Sequence, residues 1–170
     1  MQQANVPEIH WFVTAYVVAE DRLRFSCTMK SGGTDVFWLT QRLANALTKS
    51  LLDWLDKTVE DDGFPDLAHR MAQRSAAASK PKPPSGSIPD APGWLVDSVN
   101  IKGAGKGLLL TFRDNGERAV CVRFAAQHLR RWLKVLHVQY RRSGWPMDLW
   151  PDWVADAEGI TPSVQSGLLH

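Results

Sequence analysis

The residues of this 170-residue chain best suited to chemistry are five histidines and two cysteines. His10, His69, His128, His137 and His170 show no HExxH or comparable ligand spacing. His128 and His137 fall nine positions apart, which on a helix turns them about 180° from one another. Cys27 and Cys121 are 94 positions apart and neither belongs to a CxxC pair. The spacing therefore predicts no metal site. Cys121 and His128 would be one nucleophile–base pair, but no third group is placed to orient the base, and Cys121 alternates onto the face opposite its strand's apolar one. Both thiols read as buried and free, as in a reducing compartment.

Two loops invite a ligand reading and decline it. GAGKG (103–107) lacks the spacing of a phosphate loop, because Gly107 stands where Ser or Thr must follow the lysine and LLLTF continues as strand, not helix. It reads as a hairpin turn. The acids of EDDGFPD (60–66) miss the alternating oxygen spacing of a calcium loop and read as solvated. No GxGxxG or GxSxG occurs. The chain is expected to be non-catalytic and to need no cofactor.

What remains is surface chemistry. Residues 1–74 carry a net charge of −2 and residues 93–145 a net +7, while the last 25 residues hold four acids and no Lys or Arg. Arg130, Arg131, Lys134, Arg141 and Arg142 fall within about 120° of arc on one helix. Such a field attracts phosphates or an acidic partner. Trp145, Trp150 and Trp153, punctuated by Pro146 and Pro151, form an arm with no long regular element. Tryptophans of this kind either pack back on their own protein or anchor a partner.

The elements that must position these residues follow from periodicity. Residues 10–18 are rich in aromatic and β-branched side chains. Residues 22–30 alternate, with Leu23, Phe25, Cys27 and Met29 on one face. SGGT closes a hairpin into DVFWL (35–39), and Thr40 is placed to cap the helix that follows. Leu43, Leu47, Leu51 and Trp54 form that helix's apolar stripe. Residues 67–78 form a short second helix. Five prolines mark residues 79–93 as an extended linker. Residues 94–101, 108–112 and 118–124 then repeat the three strands. Leu129, Trp132, Leu133, Leu136 and Tyr140 form the apolar side of the final helix.

Leu43, Leu47 and Trp54 recur 86 positions later as Leu129, Leu133 and Tyr140, the middle strands recur after 85 and the third strands after 84. The expected fold is α+β: an internally duplicated βββα unit with a pseudo-twofold axis, each antiparallel sheet covered by one amphipathic helix. A three-stranded meander with one helix buries too little to stand alone, so the two copies must share a core. The organisation is a first half (1–74), a linker (75–93), a second half (94–144) and an arm (145–170), making one compact domain. The order of elements is similar to the broad architecture of single-strand-binding proteins of the Whirly type; no motif of theirs is present, so the likeness is one of architecture alone.

Faces turned from the helices are expected to show Phe12, Tyr16 and Phe37 in one half and Lys102, Arg113 and Arg123 in the other. No apolar run approaches the roughly 20 residues a bilayer span requires, and MQQANVPEIHWF lacks the form of a secretory signal. The expected protein is cytoplasmic and has no membrane partner. It is a protein-interaction or adaptor module that binds a protein partner through Arg130, Arg131, Lys134, Arg141, Arg142, Trp145, Trp150 and Trp153. The alternatives are single-stranded nucleic acid held by the basic half, and an enzyme whose site is assembled from residues that form no motif; a second copy of the chain, in a homo-oligomer, is a further candidate partner.

Overall fold

The computed structural model describes residues 5–78 and 91–155; residues 79–90, within the expected linker, and 156–170, the end of the expected arm, lie outside the described residues. The chain is mixed α+β, with a four-stranded sheet, a three-stranded sheet and four helices among the described residues. No helix among them is long and apolar enough to cross a membrane.

The first meander comprises β1 (Ile9–Val17), β2 (Arg22–Met29) and β3 (Thr34–Leu39), all antiparallel. Its two turns use left-handed backbone, at Asp21 (φ 51°) and Gly32 (φ 101°). A single residue then converts strand to helix. Thr40 (φ −72°, ψ 159°) stays extended while its hydroxyl accepts from Leu43 N–H at 3.4 Å, and α1 runs Gln41–Thr58. The second helix is longer than expected, α2 (Pro65–Ala78).

The second meander comprises β5 (Ser98–Ala104), β6 (Gly107–Arg113) and β7 (Ala119–Phe124), and leads into α3 (Ala126–Ser143) through Ala125 (φ −75°, ψ 158°). Asp114 builds its second turn, where the carboxylate accepts from Gly116 N–H (2.8 Å) and Arg118 N–H (3.0 Å). A one-turn helix, α4 (Asp152–Ala155), ends the described chain. Gly107, which stood in the rejected phosphate loop, has a packing role: a Cβ there would run into the Phe124 carbonyl oxygen.

Three expectations are corrected. Residues 94–101 are not one strand. Trp94–Leu95 form β4, which adds parallel to β3, and the chain then crosses to the other sheet as Val96 N–H donates to Trp38 O and Asp97 N–H to Arg113 O. Phe12, Tyr16 and Phe37 do not face away from the core. The register sets Phe12 across from Cys27, Tyr16 across from Leu23, and Phe37 across from Phe25, so all share the inward face. On α1 the buried stripe is Ala44, Leu47, Thr48, Leu51, Leu52 and Leu55, with Leu43 and Trp54 half-buried at its margin.

The inward faces of the two sheets meet through aromatic rings. Phe37 lies 4.8 Å from Phe25 and 4.9 Å from Phe112, ring centre to ring centre, and 5.3 Å from Trp94. One hydrophobic cluster takes residues from both sheets, α1, α3 and the arm. Each helix reaches the other half's sheet as well as its own. α3 lies against β1 of the first sheet as well as β7, and α1 reaches β5 as well as β2. Trp132 Nε1–H donates to Thr14 Oγ1 (3.1 Å), and Gln139 Oε1 accepts from Tyr16 N–H (2.9 Å) on the outer edge of β1.

Candidate binding site

β1 and β7 are terminal strands of their sheets. They touch where Pro7 O accepts from Cys121 N–H (2.9 Å), beside a parallel bridge between Glu8 and Cys121, and α3 closes the far end against β1. Between these two fastenings lies a groove of about 670 Å³. Phe12, Phe124 and Trp132 form its floor, with Phe124 and Trp132 stacked at 5.2 Å and Phe12 edge-on to both. Val13 and Val135 stand exposed on its walls. Its charged residues are Lys30, Arg123 and Arg131 against the single carboxylate of Glu8, a net +2, with His10 and His128 also present. Glu8 pairs with Lys30 (3.0 Å) and Arg123 (3.2 Å).

The edge of β1 lines this groove. Tyr16 N–H points outward to Gln139, so by strand alternation the amides of Thr14 and Phe12 face outward too. α3 covers the strand's C-terminal half at Thr14 and Tyr16, leaving His10 and Val13 exposed and Trp11 and Phe12 half-exposed. A bulge between Ile9 and Trp11 starts this exposed stretch.

The basic residues expected on α3 divide. Arg141 and Arg142 are exposed, and Arg131 and Lys134 are half-exposed on the same outer stripe as His128 and Val135. Arg130 is 3% exposed and belongs to the interior, which corrects its place on the basic face. The reason is that α2 and α4 cover that flank of α3. Its guanidinium donates to His69 O (3.4 Å) and to His69 Nδ1 (3.1 Å), and lies 5.1 Å from the Trp153 ring. Burial pulls its pKa down to about 10. Because a guanidinium only donates, Nδ1 must accept, and Nε2–H then donates to Asp56 (2.9 Å). With both ring nitrogens engaged His69 stays neutral, its pKa lowered by burial and then by the Arg130 charge. Sequence spacing shows nothing of this His69–Asp56–Arg130 cluster, whose members come from three helices.

The three arm tryptophans are also interior. Trp145, Trp150 and Trp153 are 6%, 8% and 5% exposed. The arm runs back along α3, antiparallel to it. Trp145 and Trp150 meet Tyr140 edge-on, Trp150 meets His137, and Trp153 stacks on His69 at 4.3 Å. Trp145 Nε1–H also donates to Asp21 (3.1 Å), which accepts from Tyr16 OH (2.6 Å). Their rings serve the chain's own core, which differs from the expectation that they face a partner.

Both cysteines are free and buried. Burial, reinforced by Asp35, pushes the Cys27 thiol up to about 12; burial and then Glu8 raise Cys121. Among the described residues no group of His, Cys, Asp and Glu is placed to hold a metal ion. Lys102, Arg113 and Arg123 share the outward face of the second sheet, as expected, and all are exposed. Comparison of the chain with protein-family models, with curated proteins and with solved structures finds no match.

Proposed function

We propose that this chain is a non-catalytic protein-interaction module that binds its partner in the groove between β1, β7 and α3. The observation that carries this reading is a half-open edge strand set in an apolar trough with a cationic rim. Exposed edges invite pairing, and proteins that do not use them block them. Here Gln139 blocks one end of the edge and residues 10–13 stay accessible. Arg131, Lys134, Arg141 and Arg142 extend the positive field along the outer stripe of α3 and steer an acidic partner toward the groove. The thiols, protonated at neutral pH, and the fully engaged His69 fit a binding role better than a catalytic one.

The scaffold is a duplicated βββα unit. β2, β3 and α1 begin 85 positions before β6, β7 and α3, and both helices span 18 residues. The same offset carries all six buried positions of α1 onto buried positions of α3, and the junction residues Thr40 and Ala125 share one backbone conformation. These correspondences support a pseudo-twofold origin in which each helix leans on the first strand of the other half. The free thiols accord with a cytoplasmic setting.

The test is selection from a random peptide display library. Selected peptides are expected to bind the wild-type chain, to lose about tenfold in affinity on Val13→Glu in the groove, and to ignore Leu67→Glu on the exposed face of α2. Peptides indifferent to both changes would remove the groove from the reading. The second reading, single-stranded nucleic acid, is favoured by Lys102, Arg113 and Arg123 on one open face. That face shows no aromatic side chain for bases to stack on. An oligonucleotide that binds at ~50 mM salt and weakens steeply at ~200 mM would support it.

A further inference from the structure

The groove's chemistry specifies its occupant more narrowly than "a protein". We infer that residues 10–13 of β1 take an extended acidic peptide segment of a partner protein as an added strand, its carboxylates meeting Arg123 and Lys30 and an apolar side chain entering over Phe12 and Trp132. This rests on the groove being the binding site and deepens that reading.

Three observations carry it. The first is charge. Lys30 and Arg123 share the single carboxylate of Glu8, so a further carboxylate meets an excess of positive charge. A basic or neutral segment would leave that excess uncompensated in a partly desolvated trough. The second is the main chain. The outward amide of Phe12 sits between the two fastenings of the groove, where an added strand supplies the partner that β1 lacks on that side. Pairing of this kind needs an extended peptide and uses alternate side chains for specificity. The third is an internal precedent. The fold already accepts a short added strand at a sheet edge, where Trp94–Leu95 lie parallel along β3. Trp94 there combines an aromatic contact, 5.3 Å to Phe37, with a polar one, Nε1–H donating to Asp35 at 3.1 Å. The residues at the 85-position offset from its partners Phe37 and Trp38 are Val122 and Arg123 of β7, which line the groove across from β1.

The experiment titrates the full chain, isotope-labelled, with synthetic heptapeptides while amide resonances and exchange rates are followed. The probes are an alternating Glu/Val peptide, its Lys/Val counterpart, the Glu/Val peptide with alternate backbone nitrogens methylated, and a peptide of residues 156–170. The Glu/Val peptide is expected to bind, to slow exchange at Phe12 N–H, and to lose about tenfold on Arg123→Glu. The Lys/Val and methylated peptides are expected to bind at least about tenfold more weakly. Equal binding of Glu/Val and Lys/Val overturns the acidic specificity, and equal binding of the methylated peptide overturns strand addition; either leaves the interaction module standing. Tighter binding of the 156–170 peptide makes the occupant the chain's own segment and overturns the proposal. Concentration-dependent dimerisation abolished by Val13→Glu, with no peptide bound, makes it a second copy and does the same. Binding of none of the probes, together with failure of the library selection, overturns both readings.

Discussion

Trp153→Ala separates a tryptophan that holds the fold from one that holds a partner. The Trp153 ring is 5% exposed, stacks on His69 at 4.3 Å and lies under the Arg130 guanidinium at 5.1 Å. Truncating a buried Trp to Ala costs about 3–5 kcal/mol, and a desolvated cation–π contact is worth about 1–2 kcal/mol of that interaction. One-turn α4 can relax into the gap, so the lower half of that span applies, about 3–4 kcal/mol. For a domain of this size each kcal/mol moves Tm by about 2–4 °C, giving a fall of about 6–16 °C. The assay is thermal and urea unfolding followed by circular dichroism, with Trp153→Phe as a partner variant that keeps an aromatic ring and loses less. A second readout is the His69 imidazole by NMR. With the indole gone, water reaches the ring and its pKa climbs toward about 6.5. A Tm within about 2 °C of wild type, or an unmoved His69 titration, would refute the placement of the arm along α3.

Three further outcomes are expected. His69 has a folded pKa below the unfolded value of about 6.5, so between the two the unfolded chain binds a proton that the folded chain does not. Stability is therefore full above pH ~6.5 and declines as pH falls through ~6.5 toward the folded pKa; burial and then Arg130 lower that pKa while Asp56 and Asp66 oppose them, and urea midpoints at pH 7.5, 6.5 and 5.5 should fall more steeply in wild type than in His69→Gln. Gly107→Ala places a Cβ against the Phe124 carbonyl and should cost about 1–3 kcal/mol by urea unfolding, whereas Gly33→Ala, with open space around it, should cost under about 1 kcal/mol. Cys27, buried with its thiol at about 12, should resist a disulfide reagent at pH 8 until the chain unfolds, and labelling at the rate of a free thiol would contradict its burial.

Local pattern was enough to place the two meanders and their following helices, apart from residues 94–101, which divide between two sheets. Alternation in residues 22–30, the SGGT and RDNGE turns, Thr40 before an amphipathic run and apolar residues at helical spacing all describe a chain's interaction with its immediate neighbours, and each produced the strand, turn or helix it predicts. The same local signals set Lys102, Arg113 and Arg123 opposite the apolar residues of their own strands, and the register of β5, β6 and β7 brings the three to one face.

Which face meets what was decided only by the tertiary structure. Phe12, Tyr16 and Phe37 share the inward face because the register of β1, β2 and β3 aligns even positions of β1 with odd positions of β2 and β3, a relation between strands that no single strand carries. Arg130 reads as surface on a helical wheel and is interior because α2 and α4, distant in sequence, close over it. The groove exists because β1 and β7, over a hundred residues apart, touch at one end and diverge over Phe12, Phe124 and Trp132. Periodicity records how a residue sits relative to its own element. Burial and binding depend on which elements arrive from elsewhere in the chain, and only the folded arrangement supplies them.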